Sequence, residues 1–129
     1  MSEFYVYWAA TALLVLLYLS SAVTYIVKTD WVRQTMLGFG YPSYLVHILT
    51  FVKLAAVAAI VSRLNVAISD LAYAGMLFHL LPSGLAHIGV RKPAGALPAA
   101  AGLALLATSF ATQNAARGIP SPYALAQAL

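Results

Sequence analysis

Long stretches without a single charged residue constrain this chain more than any other feature. They run from Phe4 to Val27, from Gln34 to Val52, from Leu71 to Val90 and from Pro93 to Ala116. A spanning helix needs about 20 predominantly apolar residues. Four such spans fit, at about 4–27, 43–62, 67–90 and 97–115, the second containing Lys53. In lipid every backbone polar group must find its partner within the fold, so helices are the economical solution. The stretches are continuously apolar rather than alternating, which argues against barrel strands. Composition agrees: of 129 residues 63% are hydrophobic and only 8% charged, against roughly 25% charged in a soluble domain. With a mean hydropathy of +0.88, the chain has too little polar surface to cover itself in water. The expected fold is therefore all-α, a polytopic membrane four-helix bundle in one domain over residues 1–117. A tail at 118–129, carrying Pro120 and Pro122, is expected to be loosely held.

Other classes fall away quickly. The apolar content excludes disorder. The absence of Cys excludes a disulfide scaffold, a thiolate metal site and a Cys nucleophile, and leaves the redox compartment unreadable. Ser20 and Ala22 would suit a leader cleavage site, but Glu3 sits where a basic leader belongs and the apolar run is long, so an uncleaved first span is expected. No nucleophile-elbow, metalloprotease or phosphate-binding motif is present. The net charge of +4 comes without a basic patch interleaved with aromatics, so nucleic acid is not an expected partner.

The linkers are short. Residues 28–42 open with Lys28, Asp30, Trp31 and Arg33 and end in Gly38-Phe39-Gly40-Tyr41-Pro42. That pattern predicts a short interfacial helix stopped by Gly38, with Trp31 at headgroup level. Residues 63–66 form a tight connection around Arg63 and Asn65, and residues 91–96 carry Arg91, Lys92 and Pro93. With four spans the termini share one side. Lys28, Arg33, Arg91 and Lys92 then face Arg63 and Arg117 across the membrane, a four-to-two bias that puts the termini outside the cytoplasm.

Polar residues inside the spans carry what the sequence says about function. An ionisable group at the centre of a span costs about 2.5–3.5 kcal/mol on insertion scales, so it faces the bundle or water. Lys53 lies near the centre of the second span and His79 near the middle of the third, at matching depth; His47 and His87 lie closer to the loop side. His79, Ser83 and His87 follow i, i+4, i+8 spacing and share one helix face, with Pro82 between them as a helix-kinking residue. Asp70 opens the third span, where it either caps the helix or pairs with Arg63, or serves as a buried acid or base. Tyr73 lies three residues on, and Thr108, Ser109, Thr112 and Gln113 bring hydroxyl and amide groups to the fourth span, where interhelical hydrogen bonding is their ordinary use. The Ala-rich fourth span should pack closely through Ala and Gly102. One shared polar pocket at mid-depth, lined by Lys53, Tyr73, His79, Ser83 and His87, is the expectation.

A recognisable pattern emerges along the chain. Tyr7-Trp8 opens the first span, and Leu37-Gly38-Phe39-Gly40-Tyr41-Pro42 precedes the second. Val52-Lys53-Leu54, Leu71-Ala72-Tyr73-Ala74-Gly75 and Gly84-Leu85-Ala86-His87 follow in order. In this ordered set, over about residues 5–115, the chain resembles the DoxX-like family of small bacterial four-helix membrane proteins. It departs from the pattern at Asp70, where Glu is expected, and at Ala86, where Ser is expected. The first change keeps the carboxylate, whereas the second deletes a hydroxyl beside His87. The resemblance implies a bacterial inner-membrane bundle and, by name, a link to small subunits of quinone-coupled sulfur oxidation.

Several readings stand side by side. The first is a redox-associated subunit that binds quinone, another lipophilic ligand or an oxidoreductase partner between the second and third spans. The second is a small enzyme of isomerase or epoxide-opening type, with His79, Lys53 and Asp70 as acid–base residues and Tyr73, Ser83, His87 and His47 around the ligand. Haem between His47 and His87 is the least favoured, and three His with few carboxylates make a poor zinc set. A purely structural or assembly subunit, self-associating or built into a larger complex, is the last.

Overall fold

The computed structural model describes residues 2–124. Helix α1 covers Ser2–Val27, α2 Thr29–Gly38, α3 Leu45–Ser62, α4 Val66–Gly89 and α5 Leu97–Thr112, with single 3₁₀ turns at Pro93–Ala96 and Gln113–Ala116 flanking α5. Among the described residues four helices are long and apolar enough to cross a membrane: α1, α3, α4 and the segment Ala94–Ala116 built around α5. Their limits fall within a few residues of the uncharged stretches. The protein is thus a multi-pass helical bundle. Its outward residues, such as Leu13, Leu16, Phe51, Phe78 and Leu85, are exposed because lipid rather than protein covers them.

The four long helices form a ring in which α1 packs on α3 and α5, and α4 packs on α3 and α5. Each turns a heptad-like face inward. On α1 the buried positions are Tyr7, Ala10, Thr11, Leu14, Tyr18 and Ala22. On α5 they are Ala99, Gly102, Leu106 and Ser109. Spacings of three and four keep such residues in one row along a helix. The shared core joins Leu14, Tyr18, Ala56, Ile60, Tyr73, Met76, Leu80, Ala99 and Leu106. At Gly102 a Cβ would stand 3.1 Å from the Leu17 and Leu80 side chains, so glycine sets how closely α5 approaches α1 and α4.

The expected interfacial helix is present as α2. It docks through Val32 and Met36 onto Val46, with Tyr25 and Leu49 alongside, while Trp31 faces outward. Gly40, at φ +85°, turns the chain toward α3, and the Tyr41 amide reaches back to the Met36 carbonyl. At the other end Arg63 closes α3 in the left-handed conformation. Asn65 then caps α4 by accepting from the Ala67 and Ile68 amides. Helix α4 carries Pro82 without interruption.

The tail departs from expectation. Ser121 is buried, exchanges hydrogen bonds with Asn114 and donates to Asp70 Oδ2 at 2.6 Å. Residues expected to hang loose from 118 onward are therefore anchored at that point, because one serine satisfies a carboxylate and an amide of the bundle. The remainder of the tail, 125–129, lies outside the described residues.

Candidate functional site

Lys53 and His79 meet inside the bundle. Lys53 is only 3% exposed, and its Nζ lies 3.1 Å from His79 Nε2. His79 Nδ1 lies 3.2 Å from the Tyr18 hydroxyl, so a chain of three groups from α3, α4 and α1 crosses the ring. The Lys53 ammonium sits over two aromatic faces, 4.8 Å from the Tyr25 centroid and 5.3 Å from that of Tyr18, a favourable place for a desolvated cation. Helix geometry explains the meeting. Lys53 stands eight residues from the loop end of α3, His79 ten from that of α4 and Tyr18 nine from that of α1, which is roughly 12–15 Å of rise in each case.

The order of donors follows from inventory. A lysine ammonium has three hydrogens and no acceptor, so His79 Nε2 accepts from it. The ring proton then resides on Nδ1 and is donated to the Tyr18 oxygen. Among the described residues, that assignment leaves the Tyr18 hydroxyl proton and two Lys53 hydrogens without a hydrogen-bonding acceptor. The side-chain carboxylates of the described residues lie elsewhere: Asp30 pairs with Arg33, Asp70 accepts from Gln113 and Ser121, and Glu3 stands at the start of α1. Beside this relay a cavity of about 330 Å³ opens between α3 and α4. Lys53, His79 and Tyr18 share its wall with small residues, among them Ala55, Ala59, Ala72 and Gly75. The small side chains make the room, and the three polar groups supply hydrogen-bonding capacity in an apolar slot.

The other candidates do not join them, which corrects the expected single pocket. Tyr73 donates or accepts at 2.7 Å with Ser109, which in turn meets Thr11 at 2.6 Å. This second layer lies six residues, or roughly 9 Å, from His79 along α4. Asp70 is further still and accepts from Gln113 Nε2 at 3.1 Å and from Ser121. It neither caps α4 nor pairs with Arg63, which instead reaches the Ala116 carbonyl. Acid and base across one dry cavity, as the isomerase reading requires, is thus not the arrangement of Asp70 and His79. Ser83 is half-buried one turn beyond His79 and outside the cavity lining. His87 packs its ring edge-on against Phe39 at 4.8 Å, and a Cβ at Gly95 would collide with it. His47 is exposed and bonds Arg33 at 3.2 Å. Each of the two histidines considered for haem has its own partner. Among the described residues no three His, Asp or Glu side chains converge to hold a metal ion.

Sequence reasoning missed Tyr18, Tyr25 and Thr11. Yet Tyr7, Thr11, Tyr18 and Tyr25 recur at intervals of four and seven in an apolar helix. That is one inward stripe of hydroxyls, each needing a partner.

The sequence model of the DoxX-like family matches residues 9–112. No curated protein and no solved structure matches the chain.

Proposed function

The chain belongs to the DoxX-like family, and from that premise we propose that it binds a lipophilic carbonyl compound of the quinone class between α3 and α4, as a redox-associated subunit of the bacterial inner membrane. One observation carries the reading: a buried lysine on the wall of an apolar cavity, hydrogen-bonded to a histidine and facing aromatic rings. A quinone oxygen is an acceptor without charge. It can take a hydrogen bond from Lys53 or Tyr18 while its ring replaces lipid among the alanines. The order His79–Tyr18 supplies a path by which a proton could reach that oxygen when a partner oxidoreductase delivers the electron. The cavity volume falls at the lower end for small-molecule sites, which suits a single ring entering edge-first from the lipid. We place the termini outside the cytoplasm, on the bias of basic residues toward the other side.

The test is a titration of the full chain in detergent with a decyl-substituted benzoquinone, followed by quenching of intrinsic fluorescence. Saturable binding is expected, weakened at least about ten-fold in Lys53→Met or Tyr18→Phe, each removing a donor worth about 1.4 kcal/mol or more. Each variant also leaves one His79 ring nitrogen without its partner, at a cost of about 1–3 kcal/mol, so affinities are compared at a temperature below the melting point of every variant. Non-saturable quenching, or equal affinity in both variants, overturns the proposal.

The Thr11–Ser109–Tyr73 layer calls for a different reading. Its hydroxyls satisfy one another within the core, and this supports a structural role in joining α1, α4 and α5.

A further inference from the structure

A second and larger cavity, of about 1300 Å³, runs along α4 and α5 at the terminal end of the bundle. Its long wall is apolar, formed by residues such as Leu71, Ala74, Leu77, Leu103 and Phe110, and residues of the tail from Gly118 to Tyr123 fold along it. Two guanidinium groups share that wall, Arg63 and Arg117. Arg117 donates from Nε to Gln113 Oε1 at 2.8 Å, and its buried Nη2 has no acceptor among the described residues. Arg63 is held at the Ala116 carbonyl and lies over Trp8, 5.0 Å from the ring centroid. Neither is ion-paired with a carboxylate among the described residues. Asp70 also lines the cavity, yet its two oxygens already accept from Gln113 and Ser121. The groove is therefore cationic at one end and apolar along its length, the charge pattern of a site for an amphiphile with an anionic head.

We propose that this groove holds an anionic phospholipid, its phosphate against Arg117 and Arg63 and an acyl chain along Leu71, Leu77 and Leu103. An anionic oxygen in the groove would pair with the guanidinium groups that line it, neither of which has a carboxylate partner among the described residues. Basic pockets between spanning helices recognise lipid headgroups by the same means. The groove meets the α3–α4 cavity at Leu71 but shares none of its polar groups, and the proposal does not rest on what binds there.

Trp8 provides the readout. With Trp31→Phe as background, the full chain is reconstituted in phosphatidylcholine vesicles containing increasing fractions of brominated phosphatidylglycerol or brominated phosphatidylcholine. Quenching of Trp8 should favour the anionic lipid by about five-fold or more, the preference expected of at least one guanidinium engaged with it. It should fall toward parity in Arg117→Gln, persist in Arg117→Lys, and persist in Lys92→Gln at the opposite end. If Arg117→Gln does not fold, Ala107→Phe narrows the wall without touching either arginine and should remove the preference equally. Equal quenching by both lipids, or an undiminished preference in Arg117→Gln or Ala107→Phe, overturns the proposal. Relief of quenching by excess glycerol phosphate also overturns it, since the site would then take a water-soluble phosphate.

Discussion

Ser109 shows how much one hydroxyl can hold together in a helix of alanines and leucines. It is fully buried and bonds both Thr11 and Tyr73. Ser109→Ala should therefore remove two hydrogen bonds and strand both partners, whereas Thr11→Val removes one and leaves Ser109 bonded to Tyr73. Interhelical hydrogen bonds in membranes average about 0.6 kcal/mol, with a maximum near 1.7. The expected loss is roughly 1–2 kcal/mol for Ser109→Ala and about half that for Thr11→Val, measured by unfolding in mixed micelles of rising denaturing-detergent content. Equal losses would mean that Ser109 does not bridge. At this scale the sequence was legible where depth alone decides. Lys53 and His79 could be matched by counting residues from the loop ends. His87 and Ser83 share a face with His79, but a face is not a place: eight residues separate the two histidines, roughly 12 Å of helix rise, and neither side chain spans that gap. Tyr18 was hidden because a tyrosine in an apolar run looks like one more aromatic until the stripe from Tyr7 to Tyr25 is read as a unit.

Helix α5 is the element whose composition most directly sets its packing. Alanine and glycine leave little side-chain bulk, so its approach to α1 and α4 is limited by what stands at Gly102. The neighbours there are methyl ends of Leu17 and Leu80, which can give by a few tenths of an ångström. Gly102→Ala should consequently stay within about 1 kcal/mol of the parent, the strain being offset by glycine's entropic disadvantage in a helix. Gly102→Leu should cost about 1–3 kcal/mol, the usual range for overpacking. The same micelle unfolding experiment measures both, and a tolerated leucine would mean that α5 is free to move outward. Element positions were readable from the runs without charge, because lipid leaves few alternatives to a helix. The α2 segment was readable from its charged start and its Gly38 stop. The fold-back at Ser121 was not readable. Its partner Asp70 is 51 residues away, and no local pattern announces a contact that only the assembled bundle creates.

At the scale of the molecule, two polar layers divide the bundle. The loop-side layer of Tyr18, His79 and Lys53 keeps hydrogen-bonding capacity in reserve beside a cavity, while the terminal-side layer of Thr11, Ser109 and Tyr73 closes on itself. Aromatic residues mark both ends: Tyr5 and Trp8 on one, Trp31, Tyr41 and Tyr44 on the other, all exposed as interfacial anchors are. Between them α1, with 26 residues, measures roughly 39 Å and exceeds a hydrocarbon core of about 30 Å, so it tilts or projects. Which end faces the cytoplasm decides whether the groove at Arg63 and Arg117 meets the inner or the outer leaflet. The orientation we propose, with the loops in the cytoplasm, rests on Lys28, Arg33, Arg91 and Lys92 against Arg63 and Arg117. The chain has no cysteine, so single-cysteine variants report orientation directly. In intact cells an impermeant maleimide should label Ser2→Cys and leave Lys92→Cys untouched until the membrane is permeabilised. The reverse pattern would invert the bundle, move the anionic-lipid groove to the cytoplasmic leaflet and bring the Lys53 cavity closer to the outer face.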